Sequence, residues 1–249
     1  MIDLLDVTFL IPVRIDHTDR VENLDLVVDY IFSKFDTNIF IYEEDISPKY
    51  VPKTSKVIYK YIRTENKNLH RTKLLNMMTK HSKTPIIVNY DTDVFLYEDK
   101  YIDATNLIRS KKYDVVYPYS GKFCDVDRNP NLKYIKEDLT LDRVDTSKYF
   151  FHPCSVGGAI FCNKEKYILS GMENENFINY GYEDQERISR FQKIGLHIYR
   201  LDGNLVHLKH YRGPNSNLNN DCSSKNEQEF KKIENMSTEE VLTYVRERV

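Results

Sequence analysis

Short apolar, β-branched runs alternate with longer stretches of helical period through the first half of this chain. Val7-Thr8-Phe9-Leu10-Ile11 is almost unbroken in its apolarity and reads as a buried strand ended by Pro12. Over residues 20–35, Val21, Leu24, Val27, Val28, Ile31 and Phe32 recur at the three-and-four spacing of a helix with one buried face. Strands follow at residues 38–42 and 56–61, then a helix over 71–80. A β-branched run, Thr84-Pro85-Ile86-Ile87-Val88-Asn89-Tyr90, reads as the fourth strand and residues 113–118 as a fifth. This alternation predicts an α/β fold with a mainly parallel central sheet flanked by helices.

The second half is less regular. Residues 122–151 are broken by charges, Asn and Pro, and read as a long surface excursion of the kind that often carries function. Order returns with a strand at 156–161, a helix over 183–194 and a strand at 197–201. A helical tail of two short helices closes the chain, the last opened by Ser237 and Glu240 in capping-box spacing. Without a repeat, low-complexity tract or linker, the pattern argues for one domain.

Composition narrows the class. A chain of 249 residues can bury a full core, and 41% apolar with 30% charged residues is the balance of a soluble globular protein. A net charge of -2 supplies no long-range field for nucleic acid or an anionic membrane. No stretch has the length and apolarity of a membrane span, and Met1-Ile2-Asp3-Leu4-Leu5-Asp6 lacks the basic and apolar regions of a signal peptide. Cys124, Cys154, Cys162 and Cys222 show no close-pair metal spacing and read as reduced thiols of a cytosol-like compartment.

The candidate chemistry gathers where strands end. Asp91-Thr92-Asp93 follows the fourth strand directly, and carboxylates at that edge of an open α/β sheet suit a divalent cation holding a phosphate-bearing ligand. Asp125-Val126-Asp127 has the same spacing but sits in loop-like sequence, so spacing alone decides little. Pro12-Val13-Arg14-Ile15-Asp16 follows the first strand; Arg14 can pair with a diphosphate and Asp16 with a base or ribose, or both can be solvated loop charges. Glu43-Glu44-Asp45 follows the second strand, where one acid can reach ribose hydroxyls, although three acids in a row also make an ordinary solvated turn. In Tyr180-Gly181-Tyr182-Glu183-Asp184, the acids fall in the first turn of a helix; the helix dipole accounts for them, and so does a general base facing a cleft. His207 and His210, in an apparent loop, can add a ligand to a metal held by Asp91 and Asp93, or simply be satisfied by hydrogen bonds.

The order of these segments resembles a nucleotide-sugar glycosyltransferase of the GT-A fold. The nearest likeness is to the β-1,4-galactosyltransferase C-terminal and chondroitin-polymerase-like group, over residues 7–217. Its most specific part is Val156-Gly157-Gly158-Ala159 followed by Gly181-Tyr182-Glu183-Asp184; the stretch from His70 to Asn76 also looks like a helix that these enzymes carry. The resemblance implies a nucleotide-binding half of about 1–120, an acceptor and catalytic half of about 121–222, and a helical tail over 223–249. It further implies that Pro12, Val13, Arg14, Asp16, Glu43, Arg71, Asp91 and Thr92 bind nucleotide, and that Gly157, Gly158, Tyr180 and Glu183 shape the donor and acceptor sugar pocket. Asp93, with Asp91 close by and His207 (His210 in reserve), would hold Mn²⁺ or Mg²⁺, and Asp184 would be the base. The implied reaction inverts the anomeric carbon of a UDP-sugar as it moves to a glycan or glycoconjugate hydroxyl.

There are departures from the group. It has a tryptophan and glycine-rich turn where this chain has Tyr180-Gly181-Tyr182, and further aspartates where it has Gln185 and Glu186. The galactosyltransferases are also Golgi membrane proteins, whereas this chain looks more like a bacterial or viral cytosolic enzyme. Two other readings remain: a sugar-nucleotide nucleotidyltransferase, whose usual glycine-rich opening loop is missing from Ile11-Pro12-Val13-Arg14, and a non-catalytic glycan-binding module on the same fold.

Overall fold

The computed structural model describes residues 1–147, 150–151, 155–217 and 220–247. Cys154 lies outside them; Cys124, Cys162 and Cys222 are free thiols. The first strand, β1 (Ile2–Val13), is longer than its apolar core and is followed by α1 (Thr18–Lys34), β2 (Phe35–Asp45) and β3 (Val57–Arg63). Pro12 does not end β1. Pairing with the fourth strand has stopped at Leu10, so the ring's missing N–H falls where β1 has only β2 beside it. Next come α2 (Arg71–His81), β4 (Ile86–Tyr90), the two-residue β5 (Val94–Phe95), α3 (Glu98–Arg109) and β6 (Val115–Tyr117).

The expected excursion after residue 122 is largely regular structure: β7 (Lys122–Val126), α4 (Arg128–Asp138) and β8 (Phe150–Phe151). β7 is made a strand by its parallel partner about 80 residues downstream, which no local pattern announces. In α4 only Asn131 and Ile135 are buried, too few to write a helical period. α3 is a further helix beyond the sequence reading, although Tyr101, Ala104, Thr105 and Ile108 do recur on one buried face. The chain continues with β9 (Ala159–Asn163), α5 (Lys164–Leu169), α6 (Glu183–Lys193), β10 (Ile198–Arg200) and β11 (Asn204–Leu208). The tail is α7 (Ser223–Asn235) and α8 (Thr238–Arg246), with the Ser237–Glu240 capping box formed.

Seven strands form the main sheet in the order β10-β6-β9-β4-β1-β2-β3, parallel except for β9, which runs against both neighbours. The α/β expectation of a mainly parallel sheet flanked by helices holds. Both faces are covered, which explains why Val7–Ile11 does not alternate polar and apolar. Val7, Phe9 and Ile11 pack into one apolar cluster with α1 and α3, while Leu10 packs with Leu74, Leu75 and Met78 of α2 on the other. Phe9 is central: Tyr90 and Phe161 both meet its ring edge-on, at 5.4 and 6.2 Å. A second sheet, β5-β11-β7-β8, meets the main one where β4 gives way to β5. The functional candidates collect at that junction.

Candidate active site

A cavity of about 590 Å³ opens beyond the C-terminal ends of β1 and β4. Its floor is built by the turn from β4 into β5. The Asp91 amide donates to the Gly158 carbonyl at 2.9 Å, and the Leu208 amide donates to the Asp93 carbonyl at 2.8 Å. The turn is thus pinned to β9 on one side and β11 on the other. His207 lies within β11, not in a loop, and pairs in register with Val94.

This pinning brings Asp93, His207 and His210 together, with one ligand atom from each lying within 4.8 Å of the others. His210 Nε2 is 3.1 Å from Asp93 Oδ2, and His207 Nε2 is 3.6 Å from Asp93 Oδ1. The opposite nitrogens are both occupied. His207 Nδ1 meets Asp125 Oδ1 at 2.7 Å, and His210 Nδ1 meets the Tyr211 carbonyl at 2.7 Å. An acceptor at each Nδ1 orients each Nε2 toward Asp93, the arrangement in which histidine metal ligands are held. Arg20 stands 3.6 Å from Asp93 Oδ2, and Thr92 Oγ1 donates to the same oxygen at 3.2 Å. Burial works against the Asp93 charge, but His207, His210 and Arg20 hold its carboxyl well below the usual carboxylate range. An anionic oxygen and two imidazole nitrogens fit a divalent transition metal such as Mn²⁺ better than Mg²⁺, which prefers oxygen ligands throughout.

The two acids of Asp91-Thr92-Asp93 do not converge on one point. Asp91 turns to Arg71, whose NH2 lies 2.5 Å from Asp91 Oδ1, and it stands outside the triad. The Arg71 NH1 group is buried without a hydrogen-bond partner and sits 3.9 Å from Asp184 Oδ1. Asp125 differs from the loop reading in a more consequential way. It lies in β7 and holds His207, so the pair with matching spacing contributes to the site rather than standing apart from it.

Across the cavity, the start of α6 presents Glu183 and Asp184. The approach is backbone-strained: Asn179 and Tyr182 have φ of 66° and 70°, and Gly181 one of 121°. Glu183 is buried, accepts from the Gly181 amide at 2.9 Å, and is pushed up to about 7 by burial and the neighbouring Asp184 charge. Asp184 Oδ1 accepts from Arg187 at 2.6 Å, while its Oδ2 lies against Gly157 so closely that a Cβ there would approach to 2.6 Å. Gly158, at φ 81°, would drive a Cβ to 2.8 Å from Leu205 Cδ1. Gly158 is therefore demanded by its left-handed backbone, and Gly157 leaves room for the close approach of the Asp184 carboxylate.

Of the remaining candidates, Pro12, Val13, Arg14, Gly157, Gly158 and Tyr180 line the cavity. Arg14 is buried and reaches the Glu44 carbonyl at 2.8 Å, leaving NH2 without a hydrogen bond. Glu43 does not reach the cavity wall. Its carboxylate is taken up by the Lys49 and Tyr50 amides and the Tyr59 hydroxyl at 2.9, 3.1 and 2.6 Å, which makes it a brace for the loop after β2. Asp16 is likewise set back, bonded to Arg20 Nε at 2.7 Å. Asp125 and Arg187 also belong to the site: the Asp-x-Asp spacing of Asp125-Val126-Asp127 is a local signal for the first, and nothing in the local sequence marks the second.

Residues 143–213 match a family described as the N-terminal domain of galactosyltransferase, a segment that contains Gly157, Gly158, Asp184, His207 and His210. No curated protein matches the chain. Similar solved structures include the catalytic domain of Drosophila beta1,4galactosyltransferase 7 with xylobiose, at 13% identity and a TM-score of 0.49, over 80% of this chain and 65% of that one. A mutant of the same enzyme with manganese, UDP-Gal and xylobiose aligns at 12% identity and 0.49 over the same shares. The mannosyltransferase PcManGT from Pyrobaculum calidifontis, with GDP-Man and Mn2+, aligns at 16% and 0.49 over 84% of this chain and 58% of that one. The chain therefore aligns with less than two thirds of the length of each.

Proposed function

We propose that this chain is a GT-A-type, metal-dependent glycosyltransferase that moves a hexose from a UDP-sugar to a hydroxyl of a glycan or glycoconjugate, with inversion at the anomeric carbon. One observation carries the reading: the Asp93–His207–His210 triad and the Asp184 carboxylate line the same cavity as separate groups. Separation of that kind suits a displacement in which leaving group and nucleophile need different help. Asp93, His207 and His210 would hold a divalent ion, which would supply Lewis-acid charge for a departing diphosphate.

The chain's own residues do the rest. Arg14 and Arg71, each with a buried donor that makes no hydrogen bond and lies 3.9 Å from a carboxylate (Glu44 and Asp184), face the cavity as cations for the nucleotide and its phosphates. Gly157, Gly158, Tyr180 and Glu183 shape the sugar-binding wall. Asp184 Oδ2 takes the proton of the acceptor hydroxyl as its oxygen bonds to the anomeric carbon. The bond from that carbon to the diphosphate oxygen breaks, and the diphosphate keeps the electron pair. The free thiols of Cys124, Cys162 and Cys222 suit a reducing, cytosol-like setting, and no helix among the described residues is long and apolar enough to cross a membrane.

A thermal-shift panel of UDP-, GDP- and dTDP-sugars with and without Mn²⁺ tests the reading, because a ligand at about 100 times its Kd adds about 2.7 kcal/mol of stability. UDP-sugars should raise Tm only with Mn²⁺, and UDP release should accompany transfer. Equal shifts with all three nucleotides, or none with any, would sink it.

A further inference from the structure

Arg187 is 1% exposed, an arginine in the interior of a helix whose outer face is charged. Burying a guanidinium is costly unless its donors are met by anions or carbonyls. Here NH1 and NH2 are met by Glu173, by Val156 and by Asp184 of the same helix, while Nε is buried without a hydrogen bond. NH1 lies 3.1 Å from both oxygens of Glu173, itself 1% exposed, and NH2 donates to the Val156 carbonyl at 3.2 Å and to Asp184 Oδ1 at 2.6 Å. Glu173 is in turn fixed by Tyr167 OH at 2.7 Å and Asn89 Nδ2 at 3.0 Å, the latter on β4. The brace thus runs from the central sheet through Glu173 and Arg187 to Asp184. It also grips the residue before Gly157.

The consequence appears at the two oxygens of Asp184. Oδ1 is occupied by Arg187, with Arg71 3.9 Å away, whereas Oδ2 accepts no hydrogen bond from the described residues. Oδ2 rests against Gly157, whose own position Arg187 fixes through Val156. We propose that Arg187 is the positioning residue of the site: braced by Glu173, it occupies Asp184 Oδ1 and aligns the Val156–Gly157 wall, so that Oδ2 alone is presented to the acceptor hydroxyl. The proposal rests on Asp184 being the base. It assigns no contact between Arg187 and substrate.

Arg187→Gln takes from the buried Glu173 the cation 3.1 Å away, so the decisive variant is Arg187→Gln/Glu173→Gln, which removes both charges. It is compared with Arg187→Lys, which keeps the cation but cannot span Glu173, Val156 and Asp184 together. Turnover is read as UDP release from a panel of UDP-hexoses with water as the acceptor, whose proton Asp184 takes as the hexose is released by hydrolysis, and affinities for Mn²⁺ and UDP by calorimetry. The double variant should lose about 10- to 100-fold in kcat, the scale of a misplaced catalytic group, with Mn²⁺ and UDP affinities within about twofold of wild type. Arg187→Lys should fall between the two. A kcat within about twofold of wild type in the double variant overturns the proposal, as does a parallel loss of kcat and UDP affinity, which marks a general structural role. If the double variant does not fold, Arg187→Lys decides on the same two readouts: a selective loss of kcat supports the proposal, and wild-type kcat overturns it. Wild-type protein that binds Mn²⁺ and UDP but turns over no UDP-hexose removes the base reading itself, a result distinct from any of these.

Discussion

At the scale of single residues, the site works by giving each polar atom one partner and leaving chosen atoms without one. Asp125 shows the first half of that rule, because its carboxylate takes His207 Nδ1 and so directs Nε2 to Asp93. Asp125→Ala should therefore weaken Mn²⁺ binding about 10- to 100-fold while the fold is retained, which titration with Mn²⁺ will measure. Asp184→Asn should do the opposite, keeping Mn²⁺ and UDP affinity and losing most transfer. Glu183 carries a pH signature. Its pKa rises from an ordinary 4.5 to about 7 in the folded protein, so the folded state binds its proton more tightly than the unfolded chain does. The stability it contributes is complete below pH 4.5 and is lost as pH rises through about 7. Glu183→Gln should accordingly flatten the decline in unfolding free energy, read from urea titrations, between about pH 5 and about pH 8, by on the order of 1–3 kcal/mol. An unchanged pH dependence would show that burial does not govern this carboxyl.

Elements explain why some of this was legible in sequence and some was not. The strand before Asp91, the helix start at Glu183 and the glycine pair each leave a local mark, in β-branched runs, first-turn acids or adjacent glycines. Asp125 has the Asp-x-Asp spacing, but its role leaves no mark, because it exists only when β7 pairs with β11 across 82 residues. Glu43 misleads for the converse reason. It stands where ribose-binding acids stand, yet the loop just downstream folds back and takes its carboxylate. The tail is a second case of tertiary logic. Asn226 of α7 is buried and donates to the carbonyls of Ile178 and Gly181 at 3.0 and 3.2 Å, and Phe230 stacks on Tyr182 at 5.8 Å. These contacts hold the strained turn before Glu183 in place. Asn226→Ala should cost about 1–3 kcal/mol in thermal denaturation by stranding those carbonyls, with Mn²⁺ affinity unchanged.

For the molecule as a whole, the central sheet is the fixed body and the site hangs from its edge. Phe9, with no exposed surface, joins β1 to Tyr90 on the adjacent β4 and to Phe161 on β9 beyond it. Phe9→Ala should cost about 3–5 kcal/mol in denaturant unfolding, far more than any change at the cavity mouth. The continuous apolar run at Val7–Ile11 made that centre readable, since a strand covered on both faces needs no polar alternation. The second sheet was not readable in the same way, because its strands are two to five residues long, too short to write a period of their own.

Beyond β11 the chain carries His210 and then several ties in succession. The Tyr211 amide donates to Asp19 at 3.0 Å, Asn215 Oδ1 accepts from the Leu69 amide at 2.8 Å, and Ser216 Oγ accepts from Arg20. A ligand on a tethered strip of backbone makes ordering of the strip and cation binding a single equilibrium, and linkage requires each to strengthen the other. Amide hydrogen exchange at residues 211–216 should then slow as Mn²⁺ is added, with a midpoint that tracks occupancy of the triad. The strip would serve as a built-in reporter, its protection recording how full the site is without any substrate present.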